Sequence, residues 1–185
     1  MKSKKNITTV VICIVLIAVL FGFIYDAVMT SVEKSTHPQT YLKQVTAASV
    51  KYGVPEYIIF SVIKTESGFD PTAKSSADAY GLMQLIPETY EDMSGFGFSE
   101  SAALSVDNNI NYGTKYLSIL YKKYDNWDTV YAAYNAGPGN VDKWLKDSAY
   151  SSDGKTLYKI PFEETRNYVR KVSAATGIYL RLYYS

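Results

Sequence analysis

The sequence predicts a mainly α-helical globular domain preceded by one N-terminal apolar helix. Residues 10–25 form an uncharged apolar run, and from residue 41 onward apolar side chains recur with a period near 3.6, as on amphipathic helices. No segment alternates convincingly like a strand, except a possible small hairpin at residues 150–160. At 185 residues, 47% hydrophobic and 20% charged, the chain can bury the core of one domain but not comfortably of two.

The apolar run at residues 10–25, VVICIVLIAVLFGFIY, follows three lysines, Lys2, Lys4 and Lys5. Such a run is either the core of a signal peptide or a slightly short membrane anchor. No clear pair of small residues marks a cleavage site after it, which favours an uncleaved anchor. Because lysines stay on the cytoplasmic side, residues 1–9 are expected inside the cell, residues 10–25 in the membrane and the chain after about Tyr25 outside.

Residues 26–40 are interpreted as a linker, because their second half is polar and contains a proline. A first domain helix is predicted from about residue 41 to Gly53, where glycine suits a helix C-terminus. Pro55 then suits the first turn of a second helix, which is predicted to run to about residue 67.

Further helices are predicted along the rest of the domain. Three of them begin at a proline or a capping side chain, and the two longest carry apolar residues on one face. They cover residues 87–95 from Pro87, a helix capped by Asp107 that reaches about Tyr124, a helix capped by Asp128 that stops at Gly137, and about residues 162–182.

Several classes of function are disfavoured. A formal net charge of +1 is too small for a nucleic-acid surface. The chain has one cysteine, Cys13, and one histidine, His37, so a disulfide framework or a Cys/His metal site is not expected, and no cofactor is predicted. The sequence GKT at 154–156 lacks the rest of a phosphate loop, and DNN at 107–109 lacks the glutamate of a calcium loop.

One carboxylate occupies an unusual position. In the second predicted helix Ile59, Val62, Ile63 and Glu66 share one face, so the glutamate continues an apolar stripe at the helix C-terminus. Burial and the negative end of the helix dipole both raise a carboxyl pKa, and a glutamate that stays protonated near neutral pH can act as a general acid. The alternative is an ordinary surface glutamate at a frayed helix end.

Four segments decide in favour of a site. They are ESGF at residues 66–69, AYGLMQ at 79–84, AYNAG at 133–137 and ETRNYV at 164–169. In this order, over about residues 41–182, they resemble the catalytic domain of soluble lytic transglycosylases, a family of peptidoglycan-cleaving enzymes with a goose-type-lysozyme-like fold. The resemblance implies that residues 41–185 are a single catalytic domain of this fold.

The resemblance also implies a reaction, which is cleavage of the β-1,4 bond between N-acetylmuramic acid and N-acetylglucosamine without water. Glu66 would first protonate the glycosidic oxygen and then serve as base while the C6 hydroxyl closes a 1,6-anhydro ring. Ser67 is expected to orient this glutamate. The residues implied to bind substrate are Ser67, Met83, Gln84, Tyr134, Asn135 and Tyr168.

Most glycosidases need a second carboxylate, and Asp70, Asp78 and Glu88 each have a simpler role in a turn, a loop or a first helical turn. Glu164 is expected to be structural or to form the rim of the cleft. The sequence therefore favours a membrane-anchored lytic transglycosylase that faces the cell wall and binds peptidoglycan strands. A hydrolytic muramidase of the same fold, or a non-catalytic wall-binding protein of a secretion or conjugation apparatus, remains the alternative.

Overall fold

A computed structural model describes the backbone of residues 2–185 and the side chains of residues 9–185. The described residues form nine α-helices and fall into two compact units, one ending at Pro38 and the other comprising Gln39–Ser185. Within this part of the chain, extended pairing is limited to isolated bridges of Tyr80 with Lys74 and with Leu85. The mainly α-helical fold class predicted from the sequence is confirmed.

The first unit is the single helix α1 (Lys2–Thr36). Its stretch Thr9–Thr36 is long and apolar enough to cross a membrane. The helix extends well beyond residue 25, so most of the segment interpreted as a linker is helical. Residues 26–36 contain neither glycine nor proline, and the helix stops just before Pro38, whose ring cannot continue the hydrogen-bond ladder.

The second unit contains the other helices. Their bounds are α2 (Leu42–Tyr52), α3 (Glu56–Glu66), α4 (Pro87–Ser94), α5 (Glu100–Ala103), α6 (Val106–Tyr124), α7 (Trp127–Ala136), α8 (Pro138–Leu145) and α9 (Glu163–Tyr183). Six of these eight were predicted to within a few residues, whereas α5 and α8 were not predicted.

Two predicted caps are wrong. Helix α6 begins at Val106, so Asp107 lies inside its first turn, where its charge suits the helix dipole. Helix α7 is capped by Asn126, whose side-chain oxygen accepts a hydrogen bond from the Thr129 amide at 3.0 Å, while Asp128 lies inside the helix.

The predicted hairpin at residues 150–160 is a loop. The Asp153 carboxylate accepts hydrogen bonds from the Lys155 and Thr156 amides at 2.8 and 2.7 Å, and these bonds hold its pKa well below the ordinary value. The Ser151 hydroxyl accepts from the Gly154 amide at 3.0 Å. These local bonds close a compact turn whose flanks do not pair as strands.

Helix α3 lies at the centre of the core. Its residues 58–63 are all buried, and the helix packs against α2 and α9, where the rings of Phe60 and Tyr179 stack at 5.5 Å. Burial of a large apolar side chain stabilises the fold by about 1.5–3 kcal/mol. The central position of α3 fixes its C-terminal residue, Glu66, at the floor of a surface cleft.

Candidate active site

A cleft of about 500 Å³ opens beside the C-terminal end of α3. Glu66 lines it at the floor, and α6, α7, α9 and the loops around α4 form its walls. The wall residues are Ser75, Ser76, Ala77, Ala79, Gln84, Leu85, Ile86, Thr89, Tyr116, Tyr134, Asn135, Ala136, Gly137 and Glu164.

The Glu66 carboxyl has an unusual environment. Burial raises its pKa from the ordinary 4.5 to about 7, with a smaller upward contribution from the negative charge of Glu164. The Tyr168 hydroxyl donates a hydrogen bond of 2.7 Å to Oε1 and opposes this rise, because it stabilises the ionised form. The raised pKa predicted from the sequence is confirmed, and burial is its main cause.

Two tyrosines lie near this carboxyl, of which Tyr168 is buried and Tyr134 is partly buried. Tyr168 lies on α9 behind Glu66, and Tyr134 on α7 forms part of the cleft wall. Burial and the nearby Glu66 charge raise the pKa of both phenols well above the ordinary value. Both hydroxyls therefore keep their protons near neutral pH and act as hydrogen-bond donors. The Tyr116 ring packs against that of Tyr134 with centroids 5.3 Å apart and extends the aromatic wall.

The loop before α4 presents Gln84 to the cleft. Gln84 adopts a left-handed backbone conformation with φ of 47°, and its Nε2 donates to the carbonyls of Gly81 and Ala73 at 2.8 and 3.2 Å. Asn135, at the end of α7, also lines the cleft as expected. Glu66, Gln84, Tyr134 and Asn135 thus come together on one surface.

Three expected substrate contacts are corrected by the structure. Tyr168 is buried and does not line the cleft, and its hydroxyl contacts Glu66. Met83 is completely buried, because its side chain packs onto Gly113 of α6, so it supports the cleft from behind. The Ser67 hydroxyl donates to the Leu82 carbonyl at 2.8 Å and the Ile63 carbonyl at 3.2 Å, rather than to the Glu66 carboxylate. It ties the end of α3 to the neighbouring loop.

The carboxylates considered as a second acid lie elsewhere. Asp70 is exposed and accepts hydrogen bonds from Thr72, and Asp78 and Glu88 are exposed outside the cleft lining. Among the residues that the structure describes, the carboxylates lining this cleft are Glu66 and Glu164. Glu164 is exposed, in agreement with the expected rim position.

Sequence reasoning missed several residues of this region. Ile86, Thr89 and Tyr116 line the cleft but belong to none of the four segments that carry the resemblance. Asn109 is buried behind the cleft, and the sequence offered one signal for it, which is an amide one residue before the apolar Ile110 of α6.

Comparisons with known proteins agree with this geometry. Residues 43–157 match the family model described as Transglycosylase SLT domain. The soluble lytic murein transglycosylase of Escherichia coli (strain K12) is 38% identical over 134 residues, which are 68% of this chain and 21% of that protein. Membrane-bound lytic murein transglycosylase C of Serratia proteamaculans is 33% identical, over 88% of this chain and 52% of the relative.

Solved structures give the same picture. The 70-kDa soluble lytic transglycosylase of Escherichia coli superposes with a TM-score of 0.72 at 30% identity, covering 80% of this chain and 25% of that one. A complex of the 70-kDa soluble lytic transglycosylase with bulgecin A gives a TM-score of 0.74 at 29% identity, covering 83% of this chain and 26% of that one. The predicted lysozyme-like fold is confirmed. The chain spans about half the length, or less, of the curated relatives that it matches.

Proposed function

The chain belongs to the Transglycosylase SLT domain family, and on that premise we propose that it is a peptidoglycan lytic transglycosylase. The substrate is the β-1,4 bond between N-acetylmuramic acid and N-acetylglucosamine, and the product carries a 1,6-anhydro ring. The observation that carries the proposal is the cleft carboxyl of Glu66, whose pKa of about 7 leaves it largely protonated at the mildly acidic pH where a general acid is needed.

One carboxyl can serve both proton transfers. Protonated Glu66 gives its proton to the glycosidic oxygen, the bond to the anomeric carbon breaks, and Glu66 becomes a carboxylate. The carboxylate then takes the proton of the C6 hydroxyl while that oxygen bonds to the anomeric carbon, which regenerates the acid. Between the two proton transfers Glu66 is a carboxylate, and the hydrogen bond of 2.7 Å from the Tyr168 hydroxyl stabilises this ionised form.

Hydrolysis by a muramidase of the same fold is the second candidate. A hydrolase would need a group that activates water, and Glu164 is the second carboxylate in the described cleft lining. Its exposed position at the rim disfavours this role. The mass of the released muropeptides separates the two reactions, since the anhydro product is one water lighter than the hydrolysed sugar.

The test uses the full chain in detergent with purified peptidoglycan, and compares wild type with Glu66→Gln and with the control Glu88→Gln. Glu88 is an exposed carboxylate outside the cleft lining. We expect anhydro-muropeptides from wild type and Glu88→Gln and almost none from Glu66→Gln. Equal release by Glu66→Gln removes this residue from the mechanism, products one water heavier favour the muramidase, and binding without cleavage by wild type favours a wall-binding protein.

The first unit supports a location at the membrane. Helix α1 is long and apolar enough to span it, and Lys2, Lys4 and Lys5 precede the apolar run. We propose a single-pass anchor that keeps residues 39–185 on the outer side, facing the wall. Protease added to intact spheroplasts should then degrade the second unit, and protection of this unit would reverse the proposed orientation.

A further inference from the structure

Asn109 makes an unusual set of contacts with the loop that borders the cleft. The residue lies on α6 and is completely buried. Its Oδ1 accepts a hydrogen bond from the Met83 amide at 2.7 Å, and its Nδ2 donates to the Tyr80 and Ala103 carbonyls, both at 2.8 Å. One side chain therefore joins the two ends of the loop of residues 80–83 and attaches them to the segment before α6.

This set of bonds requires an amide. Asparagine offers two donor hydrogens and an acceptor oxygen, whereas an ionised aspartate of the same shape only accepts and would face two carbonyl oxygens. The space is equally restrictive, because a Cβ added at Gly81 would lie 2.6 Å from the Asn109 Nδ2 and 3.1 Å from the Ala103 carbonyl oxygen. Gly81 also has a φ of 74°, which favours glycine.

The loop held in this way supports three parts of the cleft. The Leu82 carbonyl accepts a hydrogen bond of 2.8 Å from the hydroxyl of Ser67, the residue that follows Glu66 in the chain. The Met83 carbonyl accepts the hydroxyl of Tyr134 on the cleft wall, also at 2.8 Å. Gln84 follows directly and lines the cleft itself. A shift of the loop would therefore move the end of α3, the tyrosine wall and Gln84 together.

We infer that Asn109 is a positioning residue, whose buried amide holds the loop of residues 80–83 so that Glu66, Tyr134 and Gln84 keep their places around the cleft. The catalytic part of this inference rests on the proposed function. Asn109 does not line the cleft and acts through the loop backbone.

The test replaces Asn109 by Asp and by Ala in the full chain in detergent. Misplacement of reacting groups by about 1 Å can cost about a hundredfold in rate. We expect kcat/KM for peptidoglycan to fall by about that factor, mainly in kcat, after correction for the folded fraction. We also expect hydrogen exchange of the peptide that contains the Met83 amide to accelerate about tenfold or more. In Asn109→Ala this amide loses its acceptor, and in Asn109→Asp the carboxylate is repelled by the Tyr80 and Ala103 carbonyls that the amide nitrogen had bonded.

Two further variants keep the test decisive. Gly81→Ala approaches the same contact from the loop side and should give the same changes, even if Asn109→Asp fails to fold. Ser118→Ala is the matched control on α6, because the Ser118 hydroxyl is buried but donates to the Tyr52 carbonyl, away from the loop, at 2.8 Å. It should lower stability without a selective change in loop exchange or in kcat.

A titration of the Glu66 carboxyl by NMR separates this inference from the proposed function. Suppose that wild type cleaves no peptidoglycan, but that Asn109→Ala still speeds hydrogen exchange at the Met83 amide and shifts the pH midpoint of the Glu66 titration. The proposed function then fails and the positioning role of Asn109 stands. The inference about Asn109 is overturned if Asn109→Ala has the wild-type hydrogen-exchange rate at Met83 and the wild-type pH midpoint for Glu66. It is also overturned if the activity of the variant falls only in proportion to its folded fraction.

Discussion

Replacing Glu66 by glutamine should change how the stability of the second unit depends on pH. In the folded protein, burial keeps the Glu66 carboxyl protonated up to a pKa of about 7, whereas the unfolded chain loses this proton near the ordinary 4.5. Between these values the folded state binds one proton more than the unfolded state. The free energy of unfolding of wild type therefore falls as pH rises through this window.

The size of the effect follows from the two pKa values. Their separation of about 2.5 pH units corresponds to about 3 kcal/mol at 1.36 kcal/mol per unit. This stability is fully present below pH 4.5 and is lost by about pH 7. Glutamine cannot ionise, so Glu66→Gln lacks this loss. The new amide adds a difference in the free energy of unfolding that does not depend on pH. Apart from it, the free energy of unfolding of the variant should rise by about 3 kcal/mol relative to that of wild type between pH 4 and pH 8.

Equilibrium unfolding in urea, followed by tryptophan fluorescence, measures this difference. Both tryptophans, Trp127 and Trp144, lie in the second unit, so the signal reports on the cleft-bearing part of the chain. Glu163→Gln removes an exposed carboxylate outside the cleft lining and should follow the wild-type pH dependence. Parallel profiles for wild type and Glu66→Gln would refute the idea that the Glu66 carboxyl is held protonated by burial.

Four other substitutions test further parts of the structure, the fourth as a control for the third. Tyr168→Phe removes the hydrogen bond that lowers the Glu66 pKa, so the high-pH limb of kcat/KM should move up by about 1–2 pH units; an unmoved limb would contradict this. Glu164→Gln removes the negative charge that raises the same pKa, so the limb should move down by a fraction of a unit, and an upward shift would contradict the assignment. Gly113→Ala should lower the free energy of unfolding in urea by about 1–3 kcal/mol, because its Cβ would lie 2.5 Å from a buried methionine sulfur. Gly177→Ala on α9, with nothing within 4 Å of the added Cβ, should instead be neutral or stabilise by up to about 1 kcal/mol, and equal losses at both glycines would refute this difference.

Local patterns were sufficient for most of the fold. Long apolar stripes bounded by Gly53, Pro55, Pro87 or Gly137 predicted their helices to within a few residues. The short α5 has too few residues for a periodic pattern. Helix α8 was missed because the glycines around Pro138 were interpreted only as a stop, although proline also suits the first position of a new helix.

The cleft was predictable in its composition but not in its orientation. The motifs identified Glu66, Gln84 and Asn135 on the surface that the structure forms, yet they gave no means of knowing that Met83 and the Ser67 hydroxyl point inward. The direction of a loop side chain depends on single backbone angles and on distant partners. Neither has a periodic signature in the sequence.

Asn109 illustrates this limit and gives it a physical cause. It is separated from Met83 by 26 positions in the chain, yet its amide satisfies backbone groups at both ends of the loop. In the sequence it is one polar residue near a helix start, where asparagine is common for simpler reasons. Since an unpaired buried backbone group costs about 1–3 kcal/mol, the Met83 amide of this loop requires an acceptor, and the Asn109 side chain supplies it at 2.7 Å. The Glu66 carboxyl and the Asn109 amide are thus connected, because the buried amide holds the loop of residues 80–83, which contacts the residues around Glu66.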